Sequence, residues 1–94
     1  MIVRISSEGQ YRLDSSHLNQ INHIDNQIVA AIDSGDRERF VVLFRDLLAL
    51  VRNEGEPVPH DELLESQVVL PPPDTTFDEA AGLFVADGLV PESE

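Results

Sequence analysis

The stretch from Phe40 to Val51, FVVLFRDLLALV, constrains the fold most strongly, because only Arg45 and Asp46 in it are polar. On a helix that turns about 100° per residue, most of its side chains share an apolar arc about half the circumference wide. The arc comprises Phe40, Leu43, Phe44, Leu47, Leu48, Leu50 and Val51. A surface helix usually buries a narrower stripe. The segment is therefore predicted to lie at the centre of a core or to offer a second apolar face to a partner.

The composition predicts one folded domain. A chain of 94 residues with 41% hydrophobic content can build one modest core. We expect a single domain over residues 1–90 and a loose acidic tail over 91–94. Cysteine is absent, which excludes a disulfide framework and a cysteine nucleophile. No apolar run approaches the roughly 20 residues of a membrane span, and the N-terminus lacks a signal-peptide core. We therefore expect a cytoplasmic protein without direct membrane insertion.

The charge of the chain narrows the choice of partners. The formal net charge is −12, and residues 53–94 contain acids but no arginine or lysine. Nucleic acid is an unsuitable partner because phosphate neutralisation needs clustered cations, and an anionic membrane is disfavoured for the same reason. Such a charge without any lysine favours a halophilic source, where concentrated salt screens self-repulsion. The ordinary acidic bias of a GC-rich genome is the alternative.

The N-terminal residues alternate in polarity as β-strands do. Ile2–Ile5 and Gln10–Leu13 both alternate, and the turn-forming residues 6–9 separate them. The pattern predicts a β-hairpin.

Two helices are predicted after the hairpin. Isoleucines and a leucine recur at helical spacing, at Leu18, Ile21, Ile24, Ile28 and Ile32. Gly35 is expected to end this helix and Asp36 to cap the next, which runs to about Asn53. So short a connection makes the two helices antiparallel neighbours.

Proline residues divide the rest of the chain. Residues 58–64 are predicted to form a short helix with Pro59 in its first turn. Residues 67–70 could form a third, short strand, and residues 71–73 are extended polyproline.

The last predicted element is a short C-terminal helix. Thr76 and Glu79 have the spacing of a capping box, and Gly88 would close the helix. The predicted fold is therefore α+β and helix-dominant: an N-terminal hairpin, a long antiparallel helix pair, a proline-rich segment and a short C-terminal helix.

Asp25 is the one polar residue that falls inside an apolar helix face. A buried carboxylate is costly unless it is paired or hydrogen-bonded. Its expected place is the rim of the core with one partner, and a binding role is the alternative. The candidate partners are Arg4, Arg12, the Tyr11 hydroxyl and a backbone amide of the hairpin.

The sequence offers no pattern of catalytic or metal-binding residues. His17 and His23 point about 120° apart on a helix, and His60 lies in another element. The glycines match no phosphate-binding loop, and the serines lack a nucleophile-elbow context. We assign no catalytic, cofactor-binding or metal-binding residues and expect the chain not to be an enzyme.

The second helix carries a candidate interface. Val42 and Ala49 lie opposite the main apolar arc, and Arg45 and Arg52 share a face because they are seven residues apart. A solvated polar face is the simpler interpretation. The alternative is a strip that binds acidic partner residues through bidentate arginine contacts, or that pairs two copies in a homodimeric scaffold.

Four segments together resemble the PspA-associated domain family, PspAA. They are MIVRI at 1–5 with EGQY at 8–11, the helix of Leu18, Asn22 and Asp25, VVLPP at 68–72 before DTTFDE at 74–79, and GLVP at 88–91. The resemblance covers nearly the whole chain.

The resemblance implies an accessory role in envelope stress. The family consists of small, mainly helical proteins or domains of actinobacteria and archaea that accompany the phage-shock protein PspA, and it has no established catalytic residues to carry over. It implies a non-enzymatic adaptor whose partner is PspA, a coiled-coil protein at the inner membrane surface. An autonomous homodimeric scaffold or regulatory domain unrelated to PspA is the alternative.

Overall fold

The structure, a computed structural model, describes residues 1–62 and 64–83. The predicted tail and the predicted helix end at Gly88 lie outside these residues. The elements in chain order are β1 (Ile2–Ile5), β2 (Gly9–Arg12), a 3₁₀ turn (Ser15–His17), α1 (Leu18–Ser34), α2 (Arg37–Glu54), β3 (Glu56–Pro57), β4 (Val68–Leu70) and α3 (Phe77–Leu83).

The strands form a mixed four-stranded sheet in the order β3-β2-β1-β4. β1 and β2 pair antiparallel, which confirms the predicted hairpin. β4 is the predicted third strand, and it pairs parallel to β1 with Val3 opposite Val68. The two-residue strand β3 pairs antiparallel to β2 and was not predicted.

The core lies between one face of the sheet and the antiparallel pair of α1 and α2. On β1, Val3 and Ile5 are completely buried in this core, whereas Arg4 between them is exposed on the opposite face. Six of the seven arc residues of α2 are buried, and Leu50 is half-buried. The prediction that this segment is central to the core is therefore confirmed.

The predicted end of α1 and the predicted caps at the starts of α2 and α3 are confirmed. Gly35 ends α1 with a left-handed φ of 73°, a conformation in which a Cβ atom would be strained. The Asp36 carboxylate accepts the Arg39 backbone N–H at 3.1 Å. Thr76 and Glu79 form the reciprocal capping box, at 2.9 and 3.2 Å.

The predicted helix over residues 58–64 is wrong for the described residues. Residues 60–61 form a turn, in which the Glu62 N–H donates to the Pro59 carbonyl at 2.9 Å. The segment crosses the outer face of the sheet, where the Gln10 amide donates to the Leu64 carbonyl at 2.6 Å and to Ser66 Oγ at 2.8 Å. It must join β3 to β4 at opposite edges, about 14 Å apart, and a seven-residue helix spans only about 10 Å.

Candidate functional site

An open groove of about 330 Å³ runs along α2 and is the candidate site, called here the α2 groove. Its lining residues on α2 are Phe40, Val41, Phe44, Arg45, Leu48 and Arg52. Pro73 and Thr75, from the segment between β4 and α3, form the facing wall. The groove therefore lies between the central helix and the proline-rich segment.

Helical spacing puts the α2 residues on one side. Val41, Arg45, Leu48 and Arg52 follow one another at intervals of four, three and four residues, which gives a continuous strip. Val41 remains 48% exposed, while Leu48 is 5% exposed. The strip thus combines a buried apolar floor with an exposed apolar rim.

Aromatic packing holds the start of the groove. The rings of Phe40 and Phe44 stack with their centroids 5.5 Å apart, and Phe77 of α3 meets Phe40 edge-on at 5.8 Å. Arg37 lies over the Phe77 ring at 4.6 Å and binds Asp78 at 3.0 Å. These contacts fix α3 against the N-terminal half of α2.

An ion-pair cluster stands at the other end of the groove. Arg52 donates to both carboxylate oxygens of Glu8, with its Nε 2.9 Å from Glu8 Oε2. The Tyr11 hydroxyl donates to the same Oε2 at 2.6 Å. The hydrogen bonds from Arg52 and then Tyr11 lower the pKa of the Glu8 carboxyl to about 2. The bond to Glu8 in turn raises the pKa of the Tyr11 hydroxyl.

Arg45 is the free cation of the groove. It is exposed, and among the described residues its side chain makes no hydrogen bond or ion pair. A guanidinium offers a planar fork that fits a carboxylate. The groove therefore presents apolar contact area next to a free donor for an acidic group.

The four predicted interface residues occupy neighbouring positions. Arg45 and Arg52 line the groove. Val42 is 52% exposed on the outer side of α2, and Ala49 is half-buried. Arg52 is already engaged by Glu8, which the sequence did not predict.

Asp25 lies away from this site, in the core. It is 1% exposed, and its carboxylate is engaged in a polar interaction. The single hydroxyl proton of Tyr11, one of the expected partners, is donated to Glu8. Arg4 and Arg12 are exposed on the outer face of the sheet, away from the core.

Sequence reasoning missed the facing wall of the groove. Pro73 and Thr75 are separated from α2 by about twenty residues or more, so no local pattern joins them to it. Val41 was detectable, because it falls at the edge of the apolar arc where exposure begins.

Outside the α2 groove, the described residues show few features of a binding or catalytic site. A second, smaller cavity of about 130 Å³ lies between the sheet and residues 58–62, with Arg4, Gln10 and His60 in its lining. Within residues 1–62 and 64–83, no three or more His, Asp or Glu side chains gather as a metal site would require. None of the helices in the same residues has the length and apolarity to cross a membrane.

Fold and groove together define a small α+β domain in which a helix pair covers one face of a mixed sheet and leaves one side of its central helix open. The family model PspAA, described as PspA-Associated protein, matches residues 1–92. The chain therefore belongs to the PspAA family, as the sequence resemblance predicted. Comparison with curated proteins and with solved structures found no match.

Proposed function

We propose that this chain is a non-enzymatic adaptor domain that binds a PspA-like coiled-coil protein through the α2 groove. Membership of a family described by its association with PspA supports the choice of partner. The groove supports the choice of surface. The proposed setting is an envelope-stress response on the cytoplasmic side of the inner membrane, which the domain reaches through its partner.

The observation that carries this proposal is the free Arg45 beside an apolar groove on a chain of net charge −12. A long coiled-coil helix can supply both the apolar side chains and the carboxylates that would complement this surface. Its apolar side chains recur every three to four residues, and its flanking positions are often glutamate. Such a helix could insert an apolar ridge between α2 and Pro73 and place a carboxylate on Arg45.

Charge also favours this surface over residues 53–94 for an acidic partner. Residues 53–94 contain no arginine or lysine, so an acidic coiled coil would be repelled there. Arg45 and Arg52 stand together on α2, although Glu8 neutralises the second. An acidic partner would therefore meet less repulsion at the groove than over residues 53–94.

Calorimetric titration with the PspA-like protein encoded in the same genome tests the proposal. Val41→Glu places a carboxylate on the groove rim and should weaken binding at least about tenfold, since it removes apolar contact and repels acidic groups. Val69→Glu is the matched control, because Val69 is also a valine with 48% exposure but lies on β4. Its affinity should stay within about twofold of the parent chain.

Two results would contradict the proposal. If the unchanged chain does not bind, a PspA-like protein is ruled out as its partner. Equal loss of affinity in both valine variants, with melting temperatures preserved, would show that the partner does not bind at the α2 groove.

A further inference from the structure

The second cavity of the domain, of about 130 Å³, lies on the outer face of the sheet. Arg4 and Gln10, from β1 and β2, form its floor, and the segment after β3 contributes Val58, Pro59 and His60 as its roof. None of these residues lines the α2 groove, which lies on the helical side of the domain. The cavity, called here the outer-face cavity, is therefore a separate feature.

Hydrogen bonds hold the roof of the outer-face cavity in place. The Val58 N–H donates to the Gln10 carbonyl at 2.9 Å. The Gln10 side-chain amide donates to the Leu64 carbonyl at 2.6 Å and to Ser66 Oγ at 2.8 Å. These bonds join the segment to β2 both before and after His60 in the chain, so the cavity is preformed.

Arg4 supplies an unpaired cation to the outer-face cavity. Its side chain is exposed and, within residues 1–62 and 64–83, makes no hydrogen bond or ion pair. The acid in the lining, Glu62, stands 3.9 Å from Arg12 of the neighbouring strand instead. His60 also lines the cavity, and an imidazole carries at least one N–H whether it is neutral or charged. The cavity thus gathers two nitrogen donors that the described part of the fold leaves unpaired.

Size and charge limit what the outer-face cavity can bind. A water molecule takes about 30 Å³ of liquid, so the cavity has room for a group of about four non-hydrogen atoms. Val58 and Pro59 are apolar walls, which suit methylene groups beside an anionic head. A dianion would be repelled about twice as strongly as a monoanion by Glu62 and by the net charge of −12. A carboxylate on a short carbon chain meets these limits.

We propose that the outer-face cavity binds one carboxylate, from a short-chain organic acid or from an acidic side chain of a protein. The Arg4 guanidinium offers a planar fork that both carboxylate oxygens can accept from, and the His60 N–H adds a further donor. The site lies on the opposite face of the sheet from α2, so it is independent of the adaptor function proposed above.

NMR titration with sodium propionate tests the site. The largest backbone amide shifts should occur at Arg4, Gly9 and Gln10, which line the cavity on the strands. So small a ligand should bind with a Kd of about 1 mM. No shift at these amides at about 100 mM propionate, or shifts confined to the arginines of α2, would overturn the proposal.

A matched pair of arginine variants separates the site from the net charge. Arg4→Gln and Arg39→Gln each remove one positive charge from an exposed arginine, but Arg39 lies on α2. Arg4→Gln should weaken propionate binding at least about tenfold, and Arg39→Gln should change it less than about twofold. Arg4→Lys keeps the charge without the planar fork and should bind with intermediate affinity. Equal weakening by the two glutamine variants would overturn the proposal.

A matched pair of valine variants tests whether a carboxylate beside Arg4 competes for it. Val69 is the register partner of Arg4 on β4, and both are exposed on the outer face. Val69→Glu should therefore weaken propionate binding about fivefold, whereas Val41→Glu adds the same charge at a valine of equal exposure on α2 and should leave it unchanged. This order is the reverse of that expected for the coiled-coil partner, so failure of either proposal is seen separately. Equal effects of both variants on propionate would contradict the site.

Two further ligands identify the source of the carboxylate. If glutamate blocked as its N-acetyl N-methylamide binds as tightly as propionate, with shifts at the same amides, the site accepts an acidic side chain of a protein. If propionate binds and the blocked glutamate does not, the site is one for free organic acids. Tighter binding of inorganic phosphate than of propionate would overturn the assignment of a carboxylate.

Discussion

Arg52 donates two hydrogen bonds to the Glu8 carboxylate, one of them from Nε to Oε2 at 2.9 Å. The pair connects the last turn of α2 to the turn of the hairpin. The two residues are 44 positions apart in the sequence. Because bidentate pairs are directional, this contact fixes the hairpin against the helix end. It also reduces the charge available at the α2 groove, where Arg45 is left for a partner.

The Glu8–Arg52 pair should make stability depend on pH in the acid range. The folded-state pKa of Glu8 is about 2, below its ordinary value of 4.5. A depressed pKa contributes stability that is full above pH 4.5 and is lost as the pH falls toward 2. Glu8→Gln should therefore lower the free energy of unfolding by about 1 kcal/mol near neutral pH, since solvent screens a pair whose arginine is partly exposed.

Urea unfolding of Glu8→Gln and the parent chain at several pH values checks this expectation. The difference between the two should shrink as the pH drops below about 4.5. Glu62→Gln is the control, because Glu62 stands 3.9 Å from Arg12 and both side chains are about half exposed. A constant difference for Glu8→Gln across the acid range would contradict the assignment.

Local signals in the sequence were enough to predict the hairpin, the two long helices and the start of α3, but they also predicted a helix over residues 58–64 that does not form in the described residues. Alternation at Ile2–Ile5 and the caps at Gly35 and Asp36 act over a few residues, so they can be read without knowing the fold. The parallel pairing of Val3 with Val68 has no such signal, because the partners lie far apart in the chain. The facing wall of the α2 groove is a product of the same long-range pairing.

Asp25 is an acidic residue buried in the core. It is 1% exposed and engaged in a polar interaction, so Asp25→Leu should leave a buried group unsatisfied and cost about 1 to 3 kcal/mol. Asp25→Asn keeps the shape and part of the hydrogen bonding and should cost less. Thermal melting of both variants measures the difference, and a neutral or stabilising Asp25→Leu would count against a structural role for the carboxylate.

Two glycines should respond oppositely to alanine. At Gly55 a Cβ atom would stand 2.5 Å from the Val51 carbonyl oxygen and 2.8 Å from Leu13 Cδ1, so backbone must move. We expect Gly55→Ala to destabilise the domain by about 1 to 3 kcal/mol. At Gly82 in α3 an added Cβ atom would meet nothing within 4 Å beyond its chain neighbours and its own helix backbone, so Gly82→Ala should stabilise the domain by about 0.5 to 1 kcal/mol. Denaturant midpoints of the two variants that move in the same direction would contradict this packing.

The net charge predicts that salt stabilises the fold. With eighteen acids against six arginines, repulsion outweighs the few ion pairs. At about 1 M potassium chloride the Debye length falls to roughly 3 Å, so distant like charges no longer interact. The melting temperature should rise steadily from low to molar salt. A melting temperature that stays constant or falls as salt rises would contradict the interpretation that the acidic composition reflects a halophilic source.

The central claim, that the α2 groove receives a coiled-coil partner, is tested most directly by chemical-shift mapping. Labelled domain would be titrated with the unlabelled PspA-like protein of the same genome, and the backbone amides would be followed. We predict that the largest changes occur at Val41, Arg45, Leu48 and Thr75, which line the groove on both walls. Changes confined to the exposed residues of α1 or to β4, or no change at saturating partner, would contradict the claim.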